Sequence, residues 1–165
     1  MPKHKMKNQY IATSPFQTKR IGKIFAKELL KKSKGRQIVI IGLIGELGSG
    51  KTTFLQGFAK GLGIKAKILS PTFIICRKFP LYGFSPRCFY HLDCYRIQRA
   101  KEMFQIGFRE ILAGPTNIVA IEWADKVQKI LPKNTLMLKF EFIDENTRRI
   151  TMETKSVKLK EQSHG

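Results

Sequence analysis

An α/β fold with a mostly parallel sheet and an antiparallel margin is predicted by three observations. The run "RQIVIIGLIG" is almost unbroken β-branched and apolar and ends in glycine, as a strand buried on both faces of a parallel sheet does. Segments with apolar residues at helical spacing alternate with such runs, which is the sequence signature of layered α/β domains. Near the end, "NTLMLKFEFI" and "RRITMETK" flank the turn residues "DENT", so an antiparallel hairpin closes the sheet.

Taken in order, "QYIAT" is a short strand. Ser14-Pro15-Phe16-Gln17 offers a side-chain cap, proline at the first helical position and Gln17 in capping-box register, so a helix runs from there to about Lys34. Its apolar face carries Ile21, Ile24, Phe25 and Leu29, and its other face is lysine-rich. After the central strand and its glycine loop, Phe54, Leu55, Phe58, Ala59 and Leu62 mark a second helix closed by Gly61 and Gly63. "SPTFIICRKF" and "RCFYHLDCYRI" read as strands joined through "PLYGFSP". "AKEMFQIGFREIL" reads as two short helices broken at Gly107, "NIVAIEWA" as another buried strand, and a short helix follows it.

The 165 residues, 42 % apolar with twelve Phe, suffice for one core. The expected division is a basic N-terminal tail over 1–9, a single domain over 10–155 and a basic C-terminal tail over 156–165. Cys76, Cys88 and Cys94 have no paired spacing, which argues for packed thiols in a reducing compartment rather than a disulfide framework or zinc site. The longest apolar run, "IVIIGLIG", is too short to span a bilayer, and "MPKHKMKNQY" is not followed by a signal-length apolar stretch, so a cytoplasmic protein is expected. The net charge of +19 points to a polyanionic partner such as RNA, although solvated lysine tails and a lysine-lined helix give the same excess.

The motif that carries chemistry is Gly45-Glu46-Leu47-Gly48-Ser49-Gly50-Lys51-Thr52-Thr53, a P-loop pattern between a buried strand and an amphipathic helix. Glycines let successive backbone N–H groups turn toward a phosphate chain, and the helix N-terminus adds its positive dipole end. In that pattern Lys51 reaches the β- and γ-phosphates and the Thr52 hydroxyl is a Mg²⁺ ligand. The expected class is a P-loop NTPase-like three-layer sandwich.

Such a site needs carboxylates at neighbouring strand ends. Asp93 in "YHLDCYR" and Glu122 in "IVAIEWAD" end apolar strands, and either can hold Mg²⁺ or orient the attacking water; a cap or salt bridge is the plain alternative for each. His91 and Asp93 share one strand face, and His91 reads better as a packed, hydrogen-bonded histidine than as a metal ligand.

Four segments, "GELGSGKTTFLQGFAKGLG", "SPTF", "HLDCYRI" and "IEWAD", stand in the order and approximate spacing of the TsaE (YjeE) family, and the resemblance covers roughly residues 10–151. The resemblance implies an ATPase required for threonylcarbamoyladenosine formation in tRNA, acting with TsaB and TsaD and meeting tRNA directly or through that complex. It implies ATP or ADP with Mg²⁺ as cofactors, Lys51, Thr52 and Thr53 on the triphosphate, Thr52 with Glu122 on the metal, and Asp93 as base or water-orienting group. Ser70-Pro71-Thr72 resembles the family's switch-like loop, with Thr72 responding to the γ-phosphate or metal. Trp123 is similar to the family's aromatic beside the active site, and a core tryptophan reads equally well. The resemblance makes Thr13 or Ser14, and Arg149, candidates for adenine contact.

Two departures concern the partner surface. A glutamate usual after the Ser-Pro-Thr-aromatic segment is replaced by Cys76-Arg77-Lys78, and the chain is more basic than typical members. Two competing readings stand beside the ATPase: a small-molecule P-loop kinase, against which no arginine-rich lid segment is found, and a basic RNA-binding protein holding ATP structurally.

Overall fold

The computed structural model describes residues 7–33, 37–69, 76–83 and 87–153. The first strand, β1 (Lys7–Ala12), leads into helix α1 (Pro15–Ser33). Ser14 Oγ accepts the Gln17 N–H at 3.1 Å, while Gln17 Oε1 reaches back to the Thr13 N–H at 2.7 Å and the Thr13 hydroxyl at 2.8 Å. The reciprocal cap expected from Ser14 and Gln17 therefore closes one residue earlier, on Thr13.

Strand β2 (Val39–Ile44) is buried through its first five residues and runs through the phosphate-loop motif into α2 (Lys51–Gly61). Next come the antiparallel pair β3 (Cys76–Leu81) and β4 (Arg87–Asp93), then the short helices α3 (Glu102–Gln105) and α4 (Phe108–Ala113), interrupted at Gly107 as the sequence predicts. Strand β5 (Ile118–Glu122), a 3-10 segment (Ala124–Ile130), β6 (Leu136–Phe142) and β7 (Arg148–Glu153) complete the chain order.

The seven strands lie in the order β1-β7-β6-β2-β5-β4-β3. The inner four, β6, β2, β5 and β4, are parallel, and the margins are antiparallel. Parallel strands buried on both faces explain why β2 and β5 read as continuous apolar runs rather than alternating ones.

One sheet face packs on α1 and α2 around Phe54, Phe58, Phe89 and Phe140. Phe54 meets Phe140 edge-on at 5.4 Å and Phe58 meets Phe89 at 5.7 Å. Each such ring, fully buried, contributes about 1.5–3 kcal/mol relative to exposure. The other face carries Ile40, Leu92, Val119 and Ile121 against Met103, Phe108 and Val127. Helices on both faces of a mostly parallel sheet make the three-layer α/β sandwich that the sequence predicts.

Helix α1 is fixed to α2 by direct backbone contact. A Cβ on Gly22 would run into the Phe54 carbonyl, and one on Gly57 into the Lys19 carbonyl. That approach holds the start of α1 beside the phosphate loop, where Thr18 Cγ2 and Arg148 Cγ would each lie 3.6 Å from a Cβ placed on Gly50. All three cysteines are free, and burial, with the Asp93 charge adding to it, pushes the Cys94 thiol up to about 12.

Candidate functional site

The loop after β2, the end of β4 and the end of β5 meet at the carboxyl edge of the parallel strands, where open α/β sheets place their sites. Gly50, at φ 100°, is the residue before α2, and this left-handed conformation favours glycine. It forms no side-chain cap hydrogen bond, so the first-turn N–H groups of α2 are left for an anion.

Lys51 is the first residue of α2, and its side chain folds back over the loop. Nζ donates to the carbonyls of Gly45 at 2.5 Å and Glu46 at 2.9 Å and to Ser49 Oγ at 3.4 Å, and sits 4.3 Å from the Trp123 ring centroid. Burial pushes the Lys51 ammonium below the ordinary lysine value, against the opposing pull of Glu122, Asp93, Asp125 and Glu46. A buried ammonium calls for a counter-charge, which a phosphate group in this loop would supply.

The next residue joins the loop to the sheet. Thr52 Oγ1 donates to Glu122 Oε1 at 2.9 Å, and His91 Nε2 lies 2.7 Å from the other oxygen, Glu122 Oε2. His91 is fully buried, and its Nδ1 has no hydrogen-bond partner among the described residues. The parallel register pairs His91 with Ala120 and Asp93 with Glu122, so the histidine and both carboxylates project toward the α1 and α2 layer. Asp93 is nearly buried, and its Oδ1 accepts the Tyr95 N–H at 2.9 Å.

A cleft of about 180 Å³ opens over the loop, and Leu47 to Thr53, Glu122 and Trp123 line it. Ser14, Pro15 and Thr18 form the wall from α1, and Glu145, Asn146 and Arg148 form the opposite wall from the β6–β7 turn. Trp123 adopts a left-handed backbone at φ 58°, alone among the described non-glycine residues. Its ring stacks obliquely on Tyr95 at 5.1 Å, which holds it over Lys51.

Of the residues singled out from sequence, Leu47 to Thr53 of the loop, Glu122, Ser14 and Trp123 converge on this cleft, whereas Gly45 and Glu46 lie outside its lining and meet Lys51 Nζ through their carbonyls. Asp93 lies beside Glu122 in register but outside the lining. Arg149 points away to Glu141 Oε2 at 3.5 Å, also outside the lining. Its neighbour Arg148 reaches the loop instead, donating from Nε to the Gly48 carbonyl at 3.2 Å and from Nη1 to the Asp144 carbonyl at 2.6 Å. Strand alternation distinguishes the two arginines, but only the register of β7 on β6 says which one faces the loop. Ser70, Pro71 and Thr72 lie outside the described residues.

The donor set fits a nucleotide with Mg²⁺. A hydroxyl and a carboxylate 2.9 Å apart are hard oxygen donors of the kind Mg²⁺ prefers, and they sit at an uncapped helix N-terminus with a lysine in reach.

The family model described as "Threonylcarbamoyl adenosine biosynthesis protein TsaE" matches residues 12–150. The chain belongs to the TsaE family. Relatives include the tRNA threonylcarbamoyladenosine biosynthesis protein TsaE of Haemophilus influenzae, 34 % identical over 137 residues, 83 % of each chain. The protein of the same name from Borreliella burgdorferi is 41 % identical over 97 residues, 59 % of this chain and 68 % of its own. Among solved structures, Bacillus subtilis YdiB superposes with a TM-score of 0.72 at 25 % identity, covering 98 % of this chain and 97 % of that one. The TsaE match spans the P-loop, both strand-end carboxylates and the closing hairpin as far as Ile150 in one stretch. Among the described residues no helix is long and apolar enough to cross a membrane.

Proposed function

We propose that this chain binds ATP with Mg²⁺ in the cleft over the phosphate loop and hydrolyses it to ADP and phosphate. It does so as the nucleotide-dependent member of the machinery that forms threonylcarbamoyladenosine on tRNA, together with TsaB and TsaD. The observation that carries the reading is the Thr52–Glu122 hydrogen bond at the start of α2, which joins the phosphate loop to a strand-end carboxylate.

In this reading the N–H groups of the loop and of the first turn of α2 hold the phosphate chain. Lys51 exchanges its loop carbonyl contacts for the β- and γ-phosphates, and Thr53 adds a further donor. Thr52 and Glu122 hold Mg²⁺, which supplies charge neutralisation on the phosphate oxygens. His91 holds Glu122 through Oε2 and leaves Oε1 directed at Thr52. Asp93, one strand away, orients the attacking water and takes its proton. Ser14, with Glu145, Asn146 and Arg148, walls the adenosine end of the cleft, and Thr72 is the candidate for sensing the γ-phosphate.

The test is Mg²⁺-dependent phosphate release by the purified protein, alone and with TsaB plus TsaD, with Lys51→Ala as control. Stimulation by the partners that disappears in Lys51→Ala supports the reading. Tight ATP binding with no turnover under either condition returns the site to a structural nucleotide, and phosphate transfer to a small acceptor makes it a kinase.

A further inference from the structure

The positive charge is not spread evenly. Ten of the twelve acidic residues lie at or beyond Asp93, leaving only Glu28 and Glu46 in the half that builds α1 and α2. On α1, Phe16, Lys19, Arg20, Lys23, Ile24 and Lys27 fall within one arc of about 140° at 3.6 residues per turn. This arc borders α2 along a groove made of two adjoining hollows of about 570 and 640 Å³ that share Lys19 and Lys60. Lys65 and Lys67 extend the second hollow beyond the end of α2, and among the described residues no carboxylate lines either one. Glu28, the one acid on α1, lies outside the lining and pairs with Lys31 at 3.7 Å.

We infer that this groove is a docking surface for RNA, taking the phosphate backbone of the tRNA substrate; the inference rests on the tRNA pathway proposed above. Lys19, Lys23 and Lys27 stand on successive turns about 6 Å apart along the axis, a row suited to a regularly charged strand. Phe16 is 73 % exposed, and Ile24, expected from sequence on the apolar face with Ile21, Phe25 and Leu29, is instead 51 % exposed; both lie among these cations. Cations interleaved with an exposed aromatic are what an unpaired nucleotide stretch requires, the phosphates meeting lysine and a base face meeting Phe16. An acidic protein surface would satisfy the same lysines, and the polyglutamate competition below separates it from RNA. The groove begins one residue from the nucleotide cleft, since Thr18 lines the cleft and Lys19 the groove, so bound RNA lies against the ATP site.

The test compares two triple variants of the full chain that remove equal charge. One is Lys19→Ala/Lys23→Ala/Lys27→Ala in the groove; the other is Lys101→Ala/Lys129→Ala/Lys133→Ala, exposed positions outside the α1–α2 layer. Binding of an unmodified tRNA transcript is followed by anisotropy between 50 and 200 mM salt. The groove triple is expected to weaken binding about tenfold or more and to reduce the log–log salt slope by about 2, as loss of three phosphate contacts implies. The second triple changes affinity less than about twofold, and both retain the parent's ATP hydrolysis because neither touches the cleft. Equal weakening by the two triples, or none by the groove triple, overturns the inference. So does displacement of the tRNA by polyglutamate at matched charge, which assigns the groove to an acidic protein. Loss of hydrolysis in the parent protein itself counts against the ATPase reading alone and leaves the binding comparison intact.

Discussion

His91 Nε2 and Glu122 Oε2 are 2.7 Å apart at the floor of the cleft, and the second oxygen of that carboxylate accepts the Thr52 hydroxyl. The histidine is therefore expected to position the candidate metal ligand rather than to serve as a ligand itself. Removing it in His91→Ala leaves a buried carboxylate oxygen without its donor, at a cost of about 1–3 kcal/mol in stability. The Mg²⁺ concentration for half-maximal hydrolysis is expected to rise about tenfold. His91→Gln, which keeps an amide donor, recovers part of both effects. A magnesium titration unmoved in His91→Ala contradicts the positioning role.

Asp93 and Glu122 are register partners with separate expected tasks. Asp93→Asn preserves volume and hydrogen bonding, so nucleotide affinity stays within about twofold while kcat falls about 10²-fold or more, the usual scale of a lost general base. Full turnover in Asp93→Asn reduces the residue to the turn in which its Oδ1 accepts the Tyr95 N–H.

The backbone contact between α1 and α2 makes a prediction about stability. Gly57→Ala puts a methyl group into the Lys19 carbonyl, which cannot yield without moving the helix. A destabilisation of about 3 kcal/mol, lowering Tm by roughly 6–12 °C, is expected for this overpacking. An unchanged Tm means that the helices separate more easily than the contact implies.

Arg148 ties the β6–β7 turn to the phosphate loop, and Arg149 does not. Arg148→Ala is expected to weaken ATP binding about tenfold, equivalent to about 1.4 kcal/mol, and Arg149→Ala less than twofold. Asp144 organises the same turn. The Asn146 N–H first, then Thr147, hold its carboxyl below the ordinary value of 3.8. A lowered pKa in the folded state gives stability that is complete above the ordinary value and is lost as pH falls through the folded one. The turn is therefore expected to loosen only below about pH 4, and Asp144→Asn, followed by acid unfolding, removes that acid limb.

The phosphate loop and the strand-end carboxylates are legible in sequence because their chemistry demands particular residues at fixed spacing. Gly50 needs a left-handed backbone, and Lys51 and Thr52 must follow it directly. The central strand and the Gly107 break are legible for a similar reason: each is local, resting on apolar runs or a helix breaker. The partners of His91 and of Arg148 are not local. They depend on the registers of β4 on β5 and of β7 on β6, which no sequence period determines. Periodicity is also silent on which glycines bury backbone against backbone: Gly61 ends α2 as the sequence predicts, but its Cβ position also faces the Lys23 carbonyl of α1, which no sequence period shows.

The most direct test of the central claim is calorimetric titration of ATP into the protein with and without Mg²⁺, repeated for Lys51→Ala and Glu122→Ala. The expected result is Mg²⁺-enhanced binding that Lys51→Ala abolishes, while Glu122→Ala binds equally with or without the metal. Mg²⁺-enhanced binding that survives in both variants would contradict the account and place the nucleotide somewhere other than the loop joined to Glu122 through Thr52.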